Sequence, residues 1–104
     1  SATRQLQNQT LDFGSGVLNV QKRKTLEISA VGLTSNVDIT ISGAQAESFS
    51  SSVDVITKEA AEEGFGAQVS VIFQPKTVGN HEAVLTLSEN SVTLAEVILT
   101  GYCD

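Results

Sequence analysis

The chain contains one histidine, His81, and one cysteine, Cys103, the residue types that most readily supply a general base and a nucleophile. Catalysis by such a pair needs both side chains and an orienting partner in one cleft. His81 follows Gly79-Asn80, where an imidazole can simply satisfy turn backbone, and Cys103 stands where a thiol serves as a small, half-buried strand-end residue. No catalytic residue is therefore assigned. Glu59, Glu62 and Glu63 could offer oxygens to calcium, but their segment lacks the D-x-[DN]-x-[DN]-G spacing of a helix-loop site, and a solvated acidic loop accounts for them. One His and one Cys cannot complete a zinc site of three or four ligands without distant carboxylates, so no metal or cofactor is expected. Asp12-Phe13-Gly14 spells the magnesium motif of protein kinases without the Gly-rich and catalytic loops that give it meaning. Gly14-Ser15-Gly16 falls short of the nucleophile elbow G-x-S-x-G, and Asn8-Gln9-Thr10 is a glycosylation sequon relevant only in a glycosylating secretory route.

Recognition chemistry is the sharper candidate. Sandwich modules often bind glycans through stacked aromatic rings, and this chain has four Phe, one Tyr and no Trp. Phe13, Phe49 and Phe73 fall at core positions, which leaves Phe65 and Tyr102 as candidate platforms, with Glu63, Gln68 and Asn80 as polar neighbours. Such a site requires both rings to be exposed on one face.

The elements that must position these residues are strands. Val69, Val71 and Phe73 alternate with polar residues, Pro75 then removes a backbone donor, Gly79-Asn80 turns the chain, and Ala83, Leu85 and Leu87 resume the alternation. Leu26, Ile28 and Ala30 share one face of a strand over 24–31, and Val37, Ile39 and Ile41 share one face of the next. Thr10 to Gly14 and Val17 to Val20 read as a first strand split at Gly14-Ser15-Gly16. Residues 44–48 suit one helical turn, Ser52 to Ile56 a fourth strand, and 58–64 a short helix in an acidic segment. A last strand carries Ala95, Val97 and Leu99 in phase; Val92, Leu94 and Ile98 are out of phase with them, which predicts a bulge or a second buried surface. Seven strands at about 10–14 residue spacing predict an all-β, immunoglobulin-like, seven-stranded antiparallel sandwich over 10–104, preceded by a linker or frayed end over 1–9.

Composition narrows the class further. The 104 residues suit one domain, and with 40% apolar and 17% charged residues the chain can bury a core. Twelve acidic residues against six basic give a net charge of −6, and the single cationic cluster, Lys22-Arg23-Lys24, is too small to track a phosphate backbone. Nucleic acid is excluded as a partner. No run reaches the roughly 18 apolar residues of a membrane span, and one cysteine allows no disulfide within the chain.

The segments Leu11-Asp12-Phe13-Gly14, Ile41-Ser42-Gly43-Ala44 with Phe49-Ser50, Phe73-Gln74-Pro75 with Val78-Gly79 and His81, and Val97-Ile98-Leu99-Thr100-Gly101 resemble the immunoglobulin-like ASH superfamily (ASPM, SPD-2, Hydin). The short motifs F-x-P and L-x-G gain specificity from their order and spacing, and the likeness is closest to bacterial members found in exported proteins of Bacteroidetes-type bacteria. The resemblance implies a spacer or protein-docking module with no shared catalytic residues, placed in the cell envelope or outside the cell. Its partners would be neighbouring domains or another protein, with an accessory glycan-binding role as the alternative. ASH domains also occur in ciliary and centrosomal proteins, and the Ser, Thr and Asn richness favours export. The acidic insertion 58–66 and the ending Tyr102-Cys103-Asp104 depart from the family pattern and mark where a specific role would lie.

Overall fold

In the computed structural model, which describes residues 7–64 and 66–104, the alternating segments pair into two packed sheets, an all-β sandwich. Eight strands form: β1 (Gln9–Gly16), β2 (Lys22–Ile28), β3 (Val37–Ser42), β4 (Phe49–Ser51), β5 (Val55–Ile56), β6 (Ala67–Phe73), β7 (Gly79–Glu89) and β8 (Val92–Cys103). One sheet has the order β1-β8-β7-β3-β5 and the other β2-β6-β4. The alternation explains the layering: Leu26 and Ile28, Val69, Val71 and Phe73 from the smaller sheet meet Val37 and Ile39, Ala83, Leu85 and Leu87, and Ala95, Val97 and Leu99 from the larger, all buried. Full burial of each large side chain is worth about 1.5–3 kcal/mol, so this interior is the dominant stabilising term.

The expected seven antiparallel strands become eight because one segment is divided between the sheets. The chain expected to form a single strand over 52–56 leaves β4, which pairs with β6, and crosses over to form β5 against β3. Ser52 bonds Ser70 of β6, and the Asp54 carbonyl already accepts from the Ile39 N–H at 2.8 Å, so the crossing occupies only two or so residues. The first strand departs in direction. β1 runs parallel to β8, with Gln9 opposite Val97 and Asp12 opposite Thr100, and its register shifts between Asp12 and Ser15, where Gly14 has a φ of +67°.

Other boundaries move for local reasons. Val17 to Val20 is a turn, not a strand piece: Asn19 takes a left-handed φ of 62° and its N–H bonds the Pro75 carbonyl. Gln9, assigned to the linker, already lies in β1, while residues 1–6 of that linker fall outside the described residues. The helix is α1, Lys58–Glu62, shorter than 58–64, with the Thr57 hydroxyl accepting the Ala60 N–H at 3.2 Å as its N-cap. A 3-10 turn covers Ala46–Ser48. The out-of-phase residues of β8 mark a bulge, since Leu87 faces Ala95 but Ser88 faces Thr93, leaving Leu94 as the extra residue. No described helix is long and apolar enough to cross a membrane.

Candidate functional site

His81 lies on β7 opposite Gly101 of β8, and Cys103 lies two residues further along the same inner face. His81 is 2% exposed, its Nδ1 is 3.0 Å from the Gly79 carbonyl oxygen, and its Nε2 is 3.2 Å from the Thr77 hydroxyl. A carbonyl can only accept, so Nδ1 carries a proton and donates it to Gly79, and the Thr77 hydroxyl partners Nε2, so both ring nitrogens are satisfied. Its ring meets Phe73 edge-on at 5.5 Å. Both ring nitrogens thus serve the turn and the ring body serves the core, while the Cys103 thiol is buried at the strand end.

Phe73 is the centre of that core. Its ring lies 5.0 Å from Phe49 and 5.7 Å from Phe13, and Phe13 lies 5.9 Å from Phe49. It also occupies the space over Gly101: a Cβ there would stand 2.5 Å from Phe73 Cε2. Gly101 is required by close packing, not by its backbone angles.

Three carboxylates, those of Asp12, Glu62 and Glu89, bind backbone N–H groups. Glu62 accepts from the Leu33 N–H at 2.8 Å and from the Lys58 ammonium at 3.0 Å, and Glu89 accepts from the N–H groups of Thr34 at 2.6 Å and Ser35 at 3.1 Å. Asn36 completes the clasp by accepting the Lys58 N–H at 3.1 Å, so two carboxylates and an amide fix the 31–36 loop to α1 and to the end of β7. The Lys58 ammonium, then the Leu33 N–H, hold the Glu62 carboxyl below its ordinary value, and Glu62 in turn raises Lys58. Asp12 is lowered chiefly by the Gly14 N–H and then by the Thr100 hydroxyl. Among the described residues, no three His, Cys, Asp or Glu side chains gather closely enough to hold a metal ion.

Of the proposed glycan-site residues, the structure brings Tyr102 and Asn80 together and sets Gln68 apart from them on the other sheet. Tyr102, 41% exposed, and Asn80 are directly opposite one another on the outer face of the larger sheet. Gln68 sits on the outer face of the smaller sheet, donating to Glu27 at 3.1 Å, five residues back along β6 from the Tyr102 end, about 16 Å. Exposed Glu63 follows α1 next to the start of β6, and Phe65 lies outside the described residues.

Two surfaces stand out that side-chain chemistry alone does not reveal. At the end of the sandwich where β1, β6 and β8 finish, Val17 and Val78 are each 66% exposed, and Leu18, Val20 and Tyr102 join them. The loops carrying the valines are tied through Asn19, which bonds Pro75 and Gln74. Along one side, the edges of β1 and β2 flank an open groove of about 440 Å³ between Gln9 and Leu11 on one wall and Thr25, Leu26 and Glu27 on the other. The sequence signal for the apolar end was the run Val17-Leu18-Asn19-Val20, in which an asparagine between apolar residues marks a left-handed turn as readily as a strand. Neither a protein-family model nor a curated protein matches the chain.

Proposed function

We propose that this is a non-catalytic, immunoglobulin-like module of ASH type from a larger bacterial envelope or secreted protein, serving as a spacer or protein-docking domain. The observation that carries the reading is the apolar end formed by Val17, Leu18, Val20, Val78 and Tyr102. Several exposed apolar side chains gathered at one end of a sandwich mark contact with another protein surface. The loops beneath them are braced by Asn19, which lowers the cost of ordering them on contact.

A photo-crosslinking side chain placed at Val78, with a control at Asp38 on the remote part of the larger sheet, tests this in the source organism. Protein adducts at residue 78 that are absent at residue 38 support docking. A glycan role keeps one supporting observation, the exposed Tyr102 ring beside Asn80. Binding of the domain to a panel of polysaccharides and cell-wall fractions, abolished by Tyr102→Ala, would replace docking with glycan recognition.

A further inference from the structure

β2 is an edge strand whose unpaired side has a definite polarity. Thr25 faces Ser70 of β6, and Ser70 directs both its backbone groups the other way: its carbonyl accepts the Ser52 N–H at 2.9 Å and its N–H donates to the Ser52 hydroxyl at 3.1 Å. In an antiparallel ladder a residue turned away from its opposite number belongs to a non-hydrogen-bonded pair, so the Thr25 N–H and C=O also point away from β6. The β2–β6 register runs without a bulge, so Arg23 and Glu27 share that orientation. Three residues therefore offer six backbone groups along one straight edge, and among the described residues no strand pairs with them.

The edge is self-complementary. When β2 is set antiparallel to a copy of itself about Thr25, Arg23 of each copy lies opposite Glu27 of the other. Thr25 meets Thr25, and all three pairs are of the hydrogen-bonded type. The cationic half, Lys22-Arg23-Lys24, then lies against the half that carries Glu27 and leads toward exposed Glu63, and the two cationic halves sit at opposite ends of the junction. Gln68 donates to Glu27 and holds its carboxylate on the outer face, where Arg23 of the other copy would arrive. Lys22 and Lys24, on the inner-facing side of the strand, discourage pairing with an arbitrary strand, yet in this register they face Ile28 and Leu26 and no like charge is directly opposite. The groove beside Leu11 and Leu26 leaves this edge accessible.

We infer that β2 is a homotypic docking edge: two copies of this domain join antiparallel through β2 about a two-fold axis at Thr25, merging their smaller sheets into one of six strands. An isologous contact of this kind closes on itself and makes a pair rather than a filament. It deepens the docking reading while using a different surface from the apolar end.

Sedimentation velocity of the whole chain up to about 1 mM tests the inference. Wild type is expected to reach twice the single-chain mass. Arg23→Glu and Glu27→Arg, each alone, place like charges opposite one another and are expected to stay at single-chain mass. An equimolar mixture of the two variants restores both charge pairs and is expected to recover the double mass, which also shows that each variant is folded. A wild type that remains single at every concentration overturns the inference, as does a pair that survives in both variants. In either case, crosslinking at residue 78 would show separately whether the docking reading stands.

Discussion

The Phe73 ring takes the place where a side chain on residue 101 would be, so Gly101→Ala is a test of how rigid this interior is. The ring cannot retreat, because Phe13, Phe49 and His81 surround it. Overpacking by one methyl in such a site costs about 3 kcal/mol, and a melt followed by circular dichroism should fall by about 12 °C or more. A small loss would mean that β8 can move away from β6. The carboxylates give a second test. Glu62 and Asp12 are held below their ordinary values of 4.5 and 3.8, so the unfolded chain binds protons at a pH where the folded chain does not. Their stabilisation is complete above those ordinary values and is lost as the pH falls through the lower, folded values. Thermal stability should therefore decline on acidification below about pH 4.5, and Glu62→Gln should flatten part of that decline. Lys58 has the opposite sign: its raised value stabilises the fold below 10.5, and that contribution disappears as the pH rises through the folded value.

Among the elements, the β7–β8 hairpin has a turn that its residues only partly suit. Asn90 and Ser91 both take left-handed angles, φ 49° and 66°, as a two-residue hairpin turn of the I′ kind requires. Asn tolerates that region, but a serine pays the steric cost of its Cβ, about 1 kcal/mol. Ser91→Gly should accordingly raise stability by about 1 kcal/mol, read as a shift in denaturant midpoint at unchanged slope. The strands themselves were legible wherever one face is buried: Val69, Val71 and Phe73, or Ala83, Leu85 and Leu87, alternate because a one-residue slip would expose the whole set. Pairing direction was not legible. Nothing in Gln9 to Asp12 distinguishes a strand that runs parallel to β8 from one that runs antiparallel, because either direction buries the same face. The division of 49–56 into β4 and β5 was hidden for a similar reason: Phe49 and Ile56 are both buried, and only the partners of Ser52 and Asp54 show that they belong to different sheets. The candidate surfaces share this limit, since the Tyr102–Asn80 neighbourhood and the outward groups of Arg23, Thr25 and Glu27 are consequences of register.

At the scale of the whole molecule, the order of assembly follows from how far apart in sequence each contact lies. The β7–β8 hairpin closes through two residues, whereas β1 reaches β8 only after nearly the whole chain has been spanned, Gln9 to Val97. Loop closure must be met before such a distant contact contributes, so the hairpin and its packing on β3 are available to the folding nucleus and β1 docks late. Phe13 is the anchor of β1, contacting both Phe49 and Phe73, and Phe13→Ala should remove about 3–5 kcal/mol. If β1 docks late, nearly all of that loss appears as faster unfolding, with the folding limb of a stopped-flow chevron unchanged. Leu85→Ala, at the centre of the hairpin and about 2–5 kcal/mol in cost, should instead slow folding. Equal slowing of folding by both variants would place β1 in the nucleus together with the hairpin and overturn the late docking of β1.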